Sequence, residues 1–315
     1  MNKEPLFFEP IFKERIWGGD RLKTFGYQLP SNQTGECWAF AAHPNGQSIV
    51  KEGHFKGYSL GQLWKYHRGL FGHIEGDRFP LLTKILDANQ DLSVQVHPDD
   101  DYANQYEGGE LGKTECWYII DCEEGAEIVY GHNAGSKNEF EKMIQDGKWN
   151  DLLRRVPIKP GDFFFVPSGT IHAIGKGTLI LETQQNSDTT YRVYDYDRRD
   201  RDGNTRDLHV GSSIAVATIP SVVQELKPII KGSNGLKITE FVKSNYFTVS
   251  KWELDGEANL NQSLLFKLVS VLSGEGILEI NGTSYPFKKG DHILLPFEFG
   301  EYKLCGKADF IISHL

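Results

Sequence analysis

Three short motifs of this chain contain side chains that can bind a divalent metal ion. Gln95 and His97 are two residues apart in an apolar segment, and because side chains alternate along a strand, both would project from one face. Glu115 begins a second apolar segment, and His172 follows a proline-marked turn. Two imidazoles, one carboxylate and one amide oxygen suit a divalent ion, with a water or substrate oxygen in the remaining position. These residue types predict a metal centre.

The segment that contains His172 occurs twice in the chain. Residues 161–172 read GDFFFVPSGTIH and residues 290–301 read GDHILLPFEFGE, so Gly, Asp, Pro and the last position recur at one constant spacing. Each copy indicates a Gly-Asp turn, a short apolar strand, a proline turn and the start of a second strand. The last residue is His172 in the first copy and Glu301 in the second. This difference predicts a duplicated β-fold with a metal site in only one half.

A dense polar segment, residues 182–199, adds further functional groups. Its Gln, Asn, Ser and Thr side chains suit the hydroxyl groups of a sugar, although a solvated surface loop explains the composition equally well. Arg192 in this segment and Lys113, two residues before Glu115, can supply positive charge for an oxyanion or a phosphate. Glu182 ends a predicted strand that we expect to run beside His172. The other histidines lack a comparable setting and are interpreted as surface or structural residues.

Length, composition and charge limit the class of protein. A chain of 315 residues with 39% hydrophobic and 24% charged residues is typical of a globular protein with one large core or two ordinary ones. The net charge of −9 argues against nucleic-acid and membrane partners, which select basic faces. No apolar run approaches the roughly 20 residues that span a bilayer, and no apolar signal segment follows Met1. The four cysteines form no Cys-x-x-Cys pair, so we expect free thiols and a cytoplasmic protein.

The elements that must position these residues are mainly strands. Short apolar segments separated by Gly, Pro, Asn and Asp predict an all-β dominated sandwich or jelly roll, and Asn281-Gly282 predicts a two-residue hairpin. Capping signals at Ser59 and Ser136 predict short helices, the second of them divided by Gly147. Residues 210–235 are the expected connection between the halves. The predicted strands are Glu36–Ala42, Leu92–Val96, Cys116–Ile120, Phe163–Val166, Thr178–Glu182, Leu265–Leu272, Gly276–Ile280 and His292–Leu295.

Five motifs in this order resemble those of the zinc-dependent, class I mannose-6-phosphate isomerases in their short bacterial form. They extend over most of the chain and read GECW at 35–38, QVHP at 95–98, GKTECW at 112–117, PSGTIHA at 167–173 and QQNSDTTYR at 184–192. The resemblance implies a double cupin, that is, two jelly-roll β-barrels with a few short helices. The N-terminal cupin, with the active site and short helical insertions, would occupy residues 1–225. A cupin-like domain without a metal site would occupy residues 226–315.

The same resemblance implies a reaction and roles for individual residues. The reaction is the interconversion of D-mannose 6-phosphate and D-fructose 6-phosphate by metal-assisted proton transfer through an enediol. The implied cofactor is one zinc ion per chain, with the ligands Gln95, His97, Glu115 and His172. Arg192 would stand beside the developing oxyanion, and Lys113 would assist proton transfer or hold the substrate. The expected partner is a phosphosugar, and the oligomeric state is left open.

The chain departs from the longer members of this family in two ways. It has no room for their extra helical domain beyond the short helices around residues 136–155, and it lacks one histidine. The longer members commonly carry a histidine before the lysine of the GKTECW motif, where this chain has Gly112. Any proton-transfer role of that histidine therefore does not carry over, and the catalytic base is not identified by the sequence.

Other functions fit part of these observations. Two histidines and one carboxylate in a cupin also suit a non-haem iron oxygenase, which metal content and oxygen uptake would distinguish. A non-catalytic sugar-binding cupin would have the same fold, but no DNA-binding segment is present for a regulator. A cupin glucose-6-phosphate isomerase is a third alternative, although such enzymes resemble a single small cupin and this chain repeats the unit.

Overall fold

The computed structural model describes residues 4–200 and 202–315, and most of its regular elements are β-strands. The strands are β1 (Leu6–Glu9), β2 (Ile11–Gly19), β3 (Thr34–Phe40), β4 (Ala42–His43), β5 (Gly46–Gln47), β6 (Ile49–Val50), β7 (Leu81–Ala88), β8 (Val94–Val96), β9 (Glu115–Cys122), β10 (Glu127–His132), β11 (Leu153–Pro157), β12 (Phe163–Val166), β13 (His172–Ile174), β14 (Thr178–Gln185), β15 (Tyr191–Tyr194), β16 (Ile229–Ser233), β17 (Leu236–Lys243), β18 (Thr248–Gln262), β19 (Lys267–Ile280), β20 (Thr283–Lys288), β21 (His292–Leu295) and β22 (Gly300–His314).

Short helices connect some of these strands. The α-helices are α1 (Leu60–Tyr66), α2 (Asp100–Tyr106), α3 (Lys137–Gln145), α4 (Trp149–Leu152) and α5 (Val210–Val216), and 3-10 helices span Arg21–Phe25 and Arg68–Phe71. This distribution confirms the prediction of an all-β dominated fold with a few short helices. Within the described residues, we find no helix with the length and apolar character to cross a bilayer.

Two antiparallel sheets packed face to face form the first half. One has the strand order β12-β9-β14-β7-β2-β3, and the other has the order β11-β10-β13-β8-β15. Both sheets contribute to one core, since Trp117 and Ile180 of the first pack in the same cluster as Ile128 and Ile174 of the second. The sheets remain open at their edges, so the unit is a cupin-like jelly roll rather than a closed barrel.

The second half is built on one nine-stranded sheet. Its order is β16-β17-β18-β22-β19-β21-β1-β6, with β20 attached to β19. Two of these strands come from the start of the chain, because Leu6 pairs with Leu294 and Phe8 pairs with Val50. The division of the chain at residues 225 and 226 stays a prediction.

Buried contacts join the two halves. Phe71 of the first half packs edge to face on Phe266 of the second, with ring centroids 5.3 Å apart. His292 contacts both halves through its ring nitrogens. Its Nε2 lies 2.8 Å from Tyr27 OH, and its Nδ1 lies 3.0 Å from Ser270 Oγ. These residues are part of, or border, a core that contains apolar side chains from both halves.

Helix caps and turns that the sequence predicts occur at the expected residues, with one helix cap formed differently. Ser59 and Gln62 form a complete capping box at α1. Ser136 accepts a hydrogen bond from the Glu139 amide, whereas the Glu139 carboxylate accepts one from Gly135 instead of closing the box. Gly147, with a φ of +65°, separates α3 from α4 as predicted. Asn281-Gly282 forms the predicted turn between β19 and β20, and both of its φ angles are positive.

The region 210–235 is more regular than its Gly, Ser and Pro content indicates. It contains α5 and β16, so the irregular connection is confined to residues 217–228. The assignment of this region as the connection between the halves stays a prediction. Packing explains the helix at its start, since Ser213 Oγ donates a hydrogen bond to His209 O and Ile214 packs against the core of the first half.

Candidate metal and active site

His97, Glu115 and His172 form a buried cluster in the first half. Glu115 begins β9, His172 begins β13, and His97 directly follows β8, so the two facing sheets supply the three side chains. Their ligand-capable atoms all lie within 4.8 Å of one another. His97 Nε2 is 3.4 Å from Glu115 Oε2, and His172 Nε2 is 3.3 Å from Glu115 Oε1. The structure thus brings together three of the four residues that the sequence singled out as metal ligands.

Backbone carbonyls orient both imidazoles. His97 Nδ1 lies 2.9 Å from Thr189 O, and His172 Nδ1 lies 2.8 Å from Thr170 O. Because a carbonyl oxygen only accepts, each Nδ1 must carry the proton and each Nε2 must present its lone pair. Burial, assisted by the charge of Lys113, lowers the pKa of His97 to about 3, and burial also lowers the pKa of His172. Both rings are therefore neutral, which is the metal-binding form.

Glu115 supplies the negative charge of the cluster. Burial disfavours its ionised form, but the nearby ammonium of Lys113 favours it, and the pKa of Glu115 lies well below its usual range. Lys113 Nζ lies 3.1 Å from Glu115 Oε2, yet this buried oxygen has no hydrogen-bond partner of good geometry in the described part of the chain. A carboxylate oxygen that lacks a hydrogen-bond donor and lies 3.4 Å from His97 Nε2 fits a divalent cation.

Gln95 lies at the border of this cluster. It is the register partner of His172, and its Nε2 is 3.2 Å from His172 Nε2. The two ends of a carboxamide are assigned only from their hydrogen bonds, so a rotated side chain would present its oxygen at the same place. The role of Gln95 as a metal ligand stays a prediction.

A cavity of about 580 Å³ opens beside the cluster. Its wall includes Gln95, Lys113, Glu182 and Arg192. Two larger concavities, of about 700 and 1040 Å³, lie on the second half, and no histidine is among the described residues that line them. The chemistry-bearing side chains therefore converge on the smaller cavity.

A row of four residues beneath this cavity was missed by sequence reasoning. Trp117, Glu182, Lys84 and Trp38 are successive register partners on β9, β14, β7 and β3. Glu182 Oε1 accepts a hydrogen bond from Trp117 Nε1 at 3.2 Å, and Glu182 Oε2 lies 3.6 Å from Lys84 Nζ. Lys84 Nζ in turn lies 5.1 Å from the ring centroid of Trp38. The sequence does contain an indication of this row, because Lys84 and Glu182 are charged residues inside apolar strand segments.

Glu182 is the side chain of this row best suited to proton transfer. Burial and the negative charge of Glu115 raise the pKa of Glu182 to about 7, against the effect of the nearby lysines. A carboxyl group that titrates near neutral pH in a cavity wall can both release and accept a proton there.

The expected position of Glu182 beside His172 was wrong. β14 pairs with β7 and β9, whereas β13 lies in the opposing sheet between β10 and β8. The proline turn before His172 carries the chain into the second sheet, and residues 175–177 return it to the first, so strands that are consecutive in sequence face each other instead of pairing.

Within residues 4–200 and 202–315, Arg192 forms no ion pair with a carboxylate. Its Nη1 donates to Asp207 O at 2.9 Å, and its buried Nε has no hydrogen-bond partner among the described residues. The neighbouring Arg198 and Arg206 both bind Asp195, with N–O distances of 2.8 and 2.6 Å. The guanidinium of Arg192 is thus available for an anionic group in the cavity.

The amide side chains of residues 184–186 bind the protein itself. Gln184 Nε2 donates to Ser187 O at 2.6 Å, and Asn186 Nδ2 donates to Phe79 O at 2.7 Å. All three amide residues are buried. They hold the end of β14 in place, so the sugar contacts expected of them are not available.

Comparison with known proteins agrees with this geometry. Residues 6–121 match the family "Phosphomannose isomerase type I, catalytic domain", and residues 237–315 match "Mannose-6-phosphate isomerase, cupin domain". The curated mannose-6-phosphate isomerase ManA of Bacillus subtilis (strain 168) is 61% identical over 315 residues, which cover the whole of both chains. The chain belongs to the type I mannose-6-phosphate isomerases. The predictions of this family, of its isomerase activity and of a cupin fold are thereby confirmed.

Solved structures show the same relationship. The crystal structure of a mannose 6-phosphate isomerase from Bacillus subtilis is 53% identical, covers 99% of both chains and has a TM-score of 0.97. A zinc-bound mannose 6-phosphate isomerase is 16% identical, covers 98% of this chain and 99% of its own, and has a TM-score of 0.79. At that identity the second comparison shows the shared fold alone.

Proposed function

We propose that the cavity beside His97, Glu115 and His172 interconverts D-mannose 6-phosphate and D-fructose 6-phosphate, with a proton moving between C2 and C1 of the open-chain sugar. One observation carries this proposal: a buried cluster suited to a divalent ion stands next to a cavity carboxyl, Glu182, whose pKa is raised to about 7. Membership of the isomerase family supports the assignment of substrate and product.

The cofactor is one zinc ion per chain, held by Gln95, His97, Glu115 and His172. Two neutral imidazoles whose Nε2 atoms lie 3.4 and 3.3 Å from the oxygens of Glu115 support this donor set, as does a carboxylate oxygen that has no hydrogen-bond partner among the described residues. In the part of the chain that the structure describes, this is the one cluster of its kind, which supports a single ion. When bound, the ion supplies Lewis acidity to the substrate's carbonyl and neighbouring hydroxyl oxygens.

Glu182 takes the proton from C2 and returns it to C1. Its raised pKa, its position in the cavity wall and its two fixed neighbours, Trp117 and Lys84, support this role. Lys113 holds a substrate oxygen instead of acting as a base. The charge of Glu115 outweighs the effect of burial and raises the pKa of Lys113, so the amine stays protonated.

Arg192 stabilises the enediolate oxygen as negative charge develops. Its unneutralised guanidinium supports this role. The substrate is the one partner that the cavity requires, and the four free cysteines support a cytoplasmic location.

A coupled assay on mannose 6-phosphate, with and without a metal chelator, tests the proposal. We expect turnover in the untreated protein, its loss after chelation and its recovery when zinc alone is added back. The oxygenase alternative is tested in parallel with ferrous iron and an oxygen electrode. Oxygen consumption without isomerisation would refute the proposed function.

A further inference from the structure

Trp117 contacts three groups of the site at once. Its indole Nε1 lies 3.0 Å from Glu115 Oε1 and 3.2 Å from Glu182 Oε1. Its ring packs edge to face on His172, with centroids 5.4 Å apart and an angle of 69° between the planes. Trp117 is completely buried, so bulk solvent does not compete for these contacts.

The strand geometry explains why one side chain reaches both carboxylates. Glu115 and Trp117 are two residues apart on β9 and therefore project from the same face. Glu182 is the register partner of Trp117 on β14. One N–H thus lies between two buried carboxylates, which would otherwise repel each other across a medium of low dielectric constant.

The shared donor also selects which oxygen of each carboxylate remains free for other partners. With Oε1 of Glu115 turned to the indole, Oε2 faces Lys113 and His97. With Oε1 of Glu182 turned to the indole, Oε2 faces Lys84. The orientation of the metal-binding carboxylate is therefore linked to that of the cavity carboxylate.

We propose that Trp117 is a positioning residue: its indole N–H ties Glu115 to Glu182 and sets the place of the proton-transfer carboxylate relative to the metal-binding cluster. This role rests on the proposed function of Glu182. Trp117 does not itself touch the substrate, since it is absent from the residues that line the cavity.

A second tryptophan provides a matched control. Trp252 on β18 donates its indole N–H to Ser250 Oγ at 3.0 Å, again to a residue two positions earlier on the same strand. It is also buried, but its acceptor is neutral and it lies in the core of the second half. Replacing Trp252 by Phe removes the same kind of bond away from the site.

The hydrogen bond itself is tested by NMR of the indole N–H groups, independently of activity. The chain has six tryptophans, and the indole signal that is missing from Trp117→Phe identifies Trp117. We expect Glu182→Gln to shift this signal, because the charged acceptor becomes neutral, and Glu301→Gln to leave it in place. If the Trp117 signal keeps its position in Glu182→Gln, the bridge does not exist and the proposal fails. Should Trp117→Phe not fold, the one signal that moves in Glu182→Gln but not in Glu301→Gln serves the same purpose.

Kinetics test the positioning role. Loss of a hydrogen bond to a charged group predicts that kcat of Trp117→Phe falls about 10- to 100-fold, with zinc content and KM close to wild type. Trp252→Phe should keep kcat within about twofold of wild type. In a Glu182→Gln background, Trp117→Phe should cause little further loss, because both changes remove the same arrangement. Unchanged kcat in Trp117→Phe, or fully additive losses, would overturn the proposal.

The same variants separate this inference from the proposed function. If Glu182→Gln isomerises mannose 6-phosphate at the wild-type rate, Glu182 is not the proton carrier and the proposed mechanism is wrong. The NMR shift would still report whether the indole bridge exists.

Discussion

Gln95 and Arg192 face each other as register partners across β8 and β15. Directly paired residues of an antiparallel sheet project from the same face, and both side chains contribute to the wall of the cavity. The guanidinium of Arg192 therefore stands on the same wall as the predicted metal ligand, at the point where an anionic substrate group would lie.

Replacing Arg192 by Ala should act on the transition state more than on the fold. A preorganised contact to a developing oxyanion is typically worth a 10²- to 10³-fold rate effect, so we expect kcat to fall by about two orders of magnitude or more. Zinc content and Tm should stay near wild type, and Arg192→Lys should recover little because the planar fork is lost. Steady-state kinetics decides the point: a rise in KM with unchanged kcat would make Arg192 a ground-state binding residue.

His97→Ala and His172→Ala should each abolish metal binding and turnover. Each variant removes one of few ligands and disturbs the geometry of the others. Metal analysis of the purified proteins, with circular dichroism to show that they are folded, makes the measurement. Full zinc occupancy in His172→Ala would refute the assignment of the cluster.

Glu301→Gln should leave activity close to wild type. Glu301 is exposed on β22 opposite Asn261, and it lines a concavity of the second half instead of the cavity beside the metal-binding cluster. We interpret the second half as a structural support for the first. A loss of about a hundredfold in a folded Glu301→Gln protein would reveal a second functional site.

The stability of the protein should decrease in acid partly through His292. Burial lowers the pKa of His292 from 6.5 to about 3, so the unfolded chain binds its proton over this interval and the folded chain does not. Stability from this residue is therefore complete above pH 6.5 and is lost as the pH falls towards 3. Between pH 8 and pH 5 the loss is about 2 kcal/mol.

Urea unfolding of wild type and His292→Gln at pH 8 and pH 5 measures this effect. The variant should lack about 2 kcal/mol of the wild-type pH dependence, while other buried histidines contribute equally to both proteins. An identical pH dependence in the two proteins would show that His292 takes up its proton between pH 8 and pH 5 in the folded state as it does in the unfolded state.

Features fixed by nearby residues could be predicted from the sequence. The capping box at Ser59, the helix break at Gly147 and the hairpin at Asn281-Gly282 depend on backbone preferences within a few residues, and the structure has them. The three-residue cluster was also within reach. His97 follows Gln95 by two residues, and the second copy of the repeat, which ends in Glu301, marks the position of His172 by contrast.

Features that depend on strand pairing could not be predicted in this way. The strand with Glu182 was expected beside His172, but a jelly roll sends consecutive strands to opposite sheets. The row from Trp117 to Trp38 exists only once four strands are in register. Likewise, Leu265–Leu272 and Gly276–Ile280 were predicted as two strands, whereas Gly274 is accommodated inside the single strand β19.

The pairing of β1 with β21 has a consequence for how the gene can be divided. Leu6 belongs to a sheet in which every strand except β1 and β6 comes from residue 229 or later. A fragment that begins at residue 226 would leave the backbone of β21 unpaired along one side. Such an exposed strand edge can pair with other chains and promotes aggregation. The two halves are therefore not interchangeable modules. A circular permutation that keeps β1 covalently attached to the second half should tolerate a new start of the chain better than a simple cut does.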